Sequence, residues 1–153
     1  QMIDSEDRST EGSKLGFCTQ SKISETWDFL HNPAFLKELP KDLRFAWGAD
    51  QGEKGKNLYA LKDPGTAYAG PEQSDIKEIG ISEGMLLISF SKEGSEKWAA
   101  LTKNSVGRAI AIVHNDIVYS TPVVREVIKD GKCAISGNFS ESDLIELKAV
   151  LEN

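Results

Sequence analysis

A chain of 153 residues, 39% hydrophobic and 27% charged, has the make-up of one ordinary folding domain rather than of a fibrous or disordered protein. Its formal net charge of −6, with no local cluster of Lys and Arg to offset it, repels a phosphate backbone and rules out nucleic acid as an expected partner. The longest apolar runs, Met85 to Ile88 and Ala109 to Val113, fall far short of the roughly 20 residues that a membrane-crossing helix needs.

Residues 1–14 are polar and acidic and read as a flexible tether, because they offer too little apolar surface to offset the entropy of ordering. Residues 15–153 read as a single domain. Leu15-Gly16-Phe17-Cys18 is not a lipid-attachment box, since Phe17 stands where a small residue is required and no apolar segment precedes it. Asn32-Pro33 marks a helix start, with Asn as cap and Pro at the first helical position, ahead of Phe35, Leu36 and Leu39. The aromatics Trp27, Phe29, Phe45 and Trp47 are expected in a core. Residues 48–56 are rich in turn formers and read as a loop, Leu58 to Leu61 as a short strand, and Asp63-Pro64-Gly65 and Gly70-Pro71 as a second loop.

From Ile76 the pattern sharpens. Ile76 to Ile81 and Met85 to Phe90 read as strands joined by the turn Ser82-Glu83-Gly84. Ser91 caps a helix that places Trp98 and Leu101 on one face and ends near Asn104 to Gly107. Ala109 to Val113 and Ile117 to Tyr119 form a hairpin, because His114-Asn115-Asp116 supplies residues that tolerate positive φ. After a strand at Ala134 to Ser136, Ser140 and Asp143 form a capping box and Phe139 is placed to staple onto Leu144. Leu144, Leu147, Val150 and Leu151 supply the buried stripe of that last helix. Helices on one face of a largely antiparallel sheet give an α+β fold.

These residues also carry a family pattern. Leu58-Tyr59-Ala60-Leu61-Lys62 is followed by Ile88-Ser89-Phe90, Gly94, Trp98, Leu101-Thr102, Asn104 and Gly107. The series continues through Ala111-Ile112-Val113, Val118, Ser120, Pro122, Val124, Ile128, Gly131, Ile135, Gly137, Phe139, Leu147 and Leu151. It resembles the head of the first periplasmic domain of SecD and SecDF, keeping register from Ile88 to Leu151 and more loosely from Leu39-Pro40 onward. Two positions depart from that pattern: His114-Asn115-Asp116 replaces Leu-Asp-Gly at the hairpin tip, and Thr121 replaces Ala between Ser120 and Pro122. Turn chemistry survives both.

The resemblance implies a rigid α+β head displayed outside the cytoplasmic membrane, in the periplasm or cell envelope, that contacts an emerging polypeptide or an envelope protein. It supplies no catalytic motif. In SecD the head leads into transmembrane helices, so proton-coupled transport is not carried over to a sequence that stops at Asn153. Membrane association is expected only through an anchor outside these residues.

The residues themselves name no chemistry. His31 and His114 have no Cys or His at metal-ligand spacing, and Ser120 lacks a Gly-x-Ser-x-Gly elbow. No Gly-Lys-Ser/Thr follows Gly48, Gly52 and Gly55, and Asp50, Glu53 and Asp63 do not follow the spacing of a calcium loop. Cys18 and Cys133 fit either one disulfide or two free thiols. The expectation is therefore a non-catalytic binding module with no cofactor, set against a purely structural envelope domain and, third, an enzyme. If it grips polypeptide by strand addition, Tyr119 and Val118 on the hairpin, Asn115 at its tip and Asn57 in the preceding loop are the candidate contacts.

Overall fold

The computed structural model describes residues 14–49, 54–63, 65, 69–137 and 139–152. The expected tether thus lies outside the described residues except for Lys14, which opens the first strand. Two compact units emerge where the sequence reads as one domain: residues 1–65 with 111–121, and residues 66–110 with 122–153.

The first unit holds a five-stranded sheet in the order β1-β3-β2-β7-β6. Its strands are β1 (Lys14–Thr19), β2 (Leu43–Gly48), β3 (Gly55–Lys62), β6 (Ile112–His114) and β7 (Ile117–Ser120). All neighbours are antiparallel except β2 and β7, which run parallel, with Trp47 opposite Ile117 and Gly48 opposite Val118. Helix α1 (Ile23–Leu30) and the short α2 (Pro33–Leu36) connect β1 to β2. The Asn32 side chain accepts from the Ala34 N–H at 2.9 Å, as the Asn-Pro signal predicts.

Three of the four early aromatics behave as expected. Phe45 and Trp47 are buried, and Trp27 is half-buried with its ring 5.6 Å from that of Trp47. Phe29 is the exception: it is 60% exposed and its ring lies 4.8 Å from that of Phe35, because it is turned about 100° round α1 from the buried Leu30. The loop read over 48–56 is shorter than predicted, since β3 already begins at Gly55 with φ +147. A Cβ there would run into the Cys18 carbonyl, so the close approach of β1 to β3 demands glycine.

The second unit is a three-stranded antiparallel sheet in the order β4-β5-β8. It comprises β4 (Ile76–Ser82), β5 (Met85–Phe90) and β8 (Lys132–Ile135), with helices α3 (Lys92–Asn104) and α4 (Glu141–Glu152). Positive φ at Glu83 and Gly84 closes the β4–β5 hairpin. Leu86, Ile88, Cys133 and Ile135 are buried on one face, whereas Leu87 between them is 40% exposed on the other. Both helices pack on this sheet, and Trp98, Leu144 and Leu147 fill the core. The Trp98 ring lies 5.8 Å from Phe90 and its indole N–H donates to the Lys132 carbonyl at 3.1 Å.

The caps follow the sequence signals. Ser91 Oγ accepts from the Gly94 N–H at 3.1 Å. Ser140 and Asp143 reciprocate, the Ser140 N–H donating to Asp143 Oδ2 at 2.7 Å and the Asp143 N–H to Ser140 Oγ at 3.2 Å. Replacing Ser140 by Ala is expected to lower stability by about 1 kcal/mol, seen as a lower urea midpoint at unchanged slope.

The run Ala109 to Val113, read as one strand, is divided. Ile112 and Val113 pair with β7 in the first unit, whereas Ala109 bridges Val123 and the Ile110 N–H donates to the Pro122 carbonyl in the second. The chain passes between units after Ile110 and returns after Thr121, so the hairpin has its tip in one unit and its stem in the other.

Candidate interaction surfaces

A strand offers itself to a partner only if one side of its backbone is unpaired. The first half of β7 does not meet that condition, because β2 pairs with Ile117 and Val118 on one side and β6 on the other. Val118 is 4% exposed and has no surface to present, and Tyr119 is half-buried in the same strand. Asn57 is not in a loop but inside β3, opposite Phe17 of β1 and half-buried. Of the four predicted contacts Asn115 alone is exposed, at a turn where Asn115 and Asp116 have φ of 47 and 59. That tip is fastened rather than free: Arg44 Nη2 meets Asp116 Oδ1 at 2.6 Å, and the Trp47 N–H donates to the Asp116 carbonyl at 2.9 Å.

The sheet edges lie elsewhere. In the first unit they are β1 and β6, and in the second β4 and β8. β1 was missed in the sequence, although Leu15 and Phe17 alternating with Gly16 and Cys18 carry the period of two that marks a strand. Leu15 is 57% and Phe17 54% exposed. In the second unit an open groove borders β4, lined by Gln73, Ser74, Ile76, Lys77, Ile79 and Leu151. Gln73 closes one end by donating from Nε2 to the Leu151 carbonyl at 3.1 Å, which satisfies a carbonyl of the last turn of α4.

Among the described residues Asp75 is a buried carboxylate, its side chain 7% exposed. Its Oδ2 accepts from Lys97 Nζ at 2.8 Å and from the Glu72 N–H at 2.9 Å, while its own carbonyl accepts from the Ser91 N–H at 2.7 Å. The Lys97 ammonium, then the Glu72 N–H, hold its carboxyl below the usual carboxylate range despite burial. Gly94 makes the approach possible, since a Cβ on it would sit 2.7 Å from Asp75 Cβ. This knot ties the turn before β4 to the start of α3, a structural role.

Cys18 and Cys133 are both free thiols. Burial raises Cys133 to about 11, so it stays a protonated, unreactive core thiol at neutral pH. Cys18 Sγ lies 3.4 Å from Thr26 Oγ1. His31 stacks on Trp27 with ring centroids 4.2 Å apart, and its Nδ1 lies 2.9 Å from the Trp27 carbonyl oxygen. Among the described residues no group of His, Cys, Asp and Glu is placed to hold a metal ion, and no helix is long and apolar enough to cross a membrane.

Comparison with known proteins agrees with this architecture. The family model for the SecDF P1 head subdomain matches residues 75–153. The protein translocase subunit SecD of Rhodothermus marinus is 27% identical over 150 residues, which are 94% of this chain and 24% of that protein. SecDF of Thermus thermophilus is 33% identical over 104 residues, 66% of this chain and 14% of that one. The chain thus spans about a quarter or less of these curated relatives. A solved structure of SecDF, described as a membrane component that enhances protein export, superposes with a TM-score of 0.51 at 24% identity. That superposition covers 94% of this chain and 59% of the other, and establishes the shared fold. With half its length matched by the family model, and that half folding around a helix-backed antiparallel sheet, this chain belongs to the SecDF P1 head subdomain family.

Proposed function

We propose that this chain is a non-catalytic contact module of a protein translocase component, working outside the cytoplasmic membrane on polypeptide or on an envelope protein. The observation that carries this reading is the family match over residues 75–153, supported by relatives that are protein translocase subunits. The geometry is compatible with it. The strongly partnered polar groups knot the fold together instead of converging on a reacting centre, while sheet edges and the open face carrying Leu87 offer surface for contact. Such a module acts by holding a chain, not by transforming it.

The reading is tested by photocrosslinking in the native envelope from a reactive residue at position 87 and, separately, at position 15. Capture of many unrelated exported chains or of translocase subunits is the expected result. A single dominant partner outside secretion would replace this reading with that of an assembly domain.

A further inference from the structure

Building on the polypeptide-contact reading, we infer that the edge of β1 is the binding surface, and that its ligand is an extended, uncharged segment that pairs with Phe17 and Thr19.

Four sheet edges are present among the described residues, and three are guarded. β6 has three residues and β8 has four, too short to hold a strand in register. β4 carries Lys77 and Glu78 and a bulge between Ile76 and Glu78. β1 has six residues, no charge after Lys14, and an irregularity confined to its start between Lys14 and Gly16. No described strand pairs with its outer side.

The direction of its backbone follows from one hydrogen bond. The Gln20 N–H donates to the Lys54 carbonyl at 3.1 Å, one pair beyond Thr19 opposite Gly55. Antiparallel pairs alternate, so Cys18 and Gly16 turn their N–H and C=O toward β3 whereas Phe17 and Thr19 turn theirs away. The Cys18 carbonyl agrees, standing against Gly55 of β3. Phe17 therefore presents an outward N–H and C=O and Thr19 an outward N–H at strand spacing, beside an exposed phenyl ring and the exposed Leu15, while the Thr19 carbonyl caps the 3-10 turn Gln20–Lys22.

A row of this kind recognises an extended backbone whatever its sequence, with apolar residues of the ligand resting on Phe17. A second copy is the other source of such a strand. Each copy carries a formal charge of −6, and that repulsion favours an uncharged segment of another polypeptide over self-pairing.

Thr19 supplies a clean test. Its φ of −67 and ψ of 151 already match proline, and its N–H points outward, so Thr19→Pro removes the outward donor without costing a β1–β3 bond. Binding of a fluorescein-labelled Val-Thr repeat peptide is followed by anisotropy. Thr19→Pro, with unchanged circular dichroism, is expected to weaken it about tenfold or more, while Thr19→Val leaves it intact. A peptide N-methylated at alternate amides should fail to bind the unmodified protein, a control that needs no folded variant.

If Thr19→Pro and N-methylation both leave binding unchanged, β1 is not the surface although the polypeptide-contact reading survives. If the unmodified protein ignores the repeat peptide, both fall. A concentration-dependent dimer in sedimentation that Thr19→Pro dissolves would overturn the proposed ligand in favour of a second copy.

Discussion

Replacing Leu86 by Ala is expected to lower the unfolding free energy by about 2–5 kcal/mol, the usual cost of removing a fully enclosed leucine side chain. Leu86 is the second residue of β5 and has 0% exposure. It is paired with Ile81 of β4 on one side and Ile135 of β8 on the other, under the two helices. The neighbours on its own sheet are fixed by backbone pairing, which restricts their collapse into the space left behind. The loss is therefore expected toward the upper part of that range. Leu87→Ala is the matched control, since its side chain is already partly in water on the opposite face and should cost well under half as much. Urea unfolding of the two variants measures the difference, and equal effects would contradict the assignment of buried and open faces.

Asp75→Asn is expected to cost about 2–3 kcal/mol at neutral pH, because it removes a charge-assisted bond to Lys97 and weakens the one to the Glu72 N–H at a side chain that is 7% exposed. Lys97 is itself half-exposed and recovers part of its hydration, which keeps the loss below that of a fully enclosed ion pair. The pH dependence has a definite sign. In the unfolded chain Asp75 takes up its proton near an ordinary carboxylate value of about 4, whereas in the folded protein it does so only at lower pH. Protons thus favour the unfolded state in that window. The stabilisation from Asp75 is complete above pH about 4 and disappears as pH falls through the folded value. Asp143, held low by Ser140, shifts in the same direction. Subtracting the Asp75→Asn profile from that of the unmodified protein isolates Asp75. A difference that stays constant from pH 7 down to pH 2 would refute this account.

What was legible in the sequence was local. The Ser82-Glu83-Gly84 and Asn115-Asp116 turns, the caps at Asn32, Ser91 and Ser140, and the α+β class all follow from residues within a few positions of one another. α1 was not legible, since Lys22 gives it no side-chain cap and a short 3-10 turn runs into it. β2 was hidden for a different reason: Phe45, Ala46, Trp47 and Gly48 are all buried, so the alternation that betrays a half-exposed strand is missing. The surroundings of the candidate contacts depend on long-range information. Nothing near Val118 says that β2 will lie parallel beside it, so a residue that looks as if it stands on an edge strand has a strand on either side. The same applies to Asn57, which looks like loop until β1 and β2 close on either side of it.

The division of the chain has a consequence for the order in which the protein is made. β2 leaves the ribosome early, but its parallel neighbour β7 begins only at Ile117, after most of the second unit's β4, β5 and α3 has been synthesised. Through that interval the first unit has at most the β1-β3-β2 half of its sheet, with the buried Phe45 and Trp47 strand lacking its neighbour on one side. Completion of the first unit must wait for a hairpin embedded in the sequence of the second, so chains that end before residue 117 should leave the β2 side of that sheet open to aggregation.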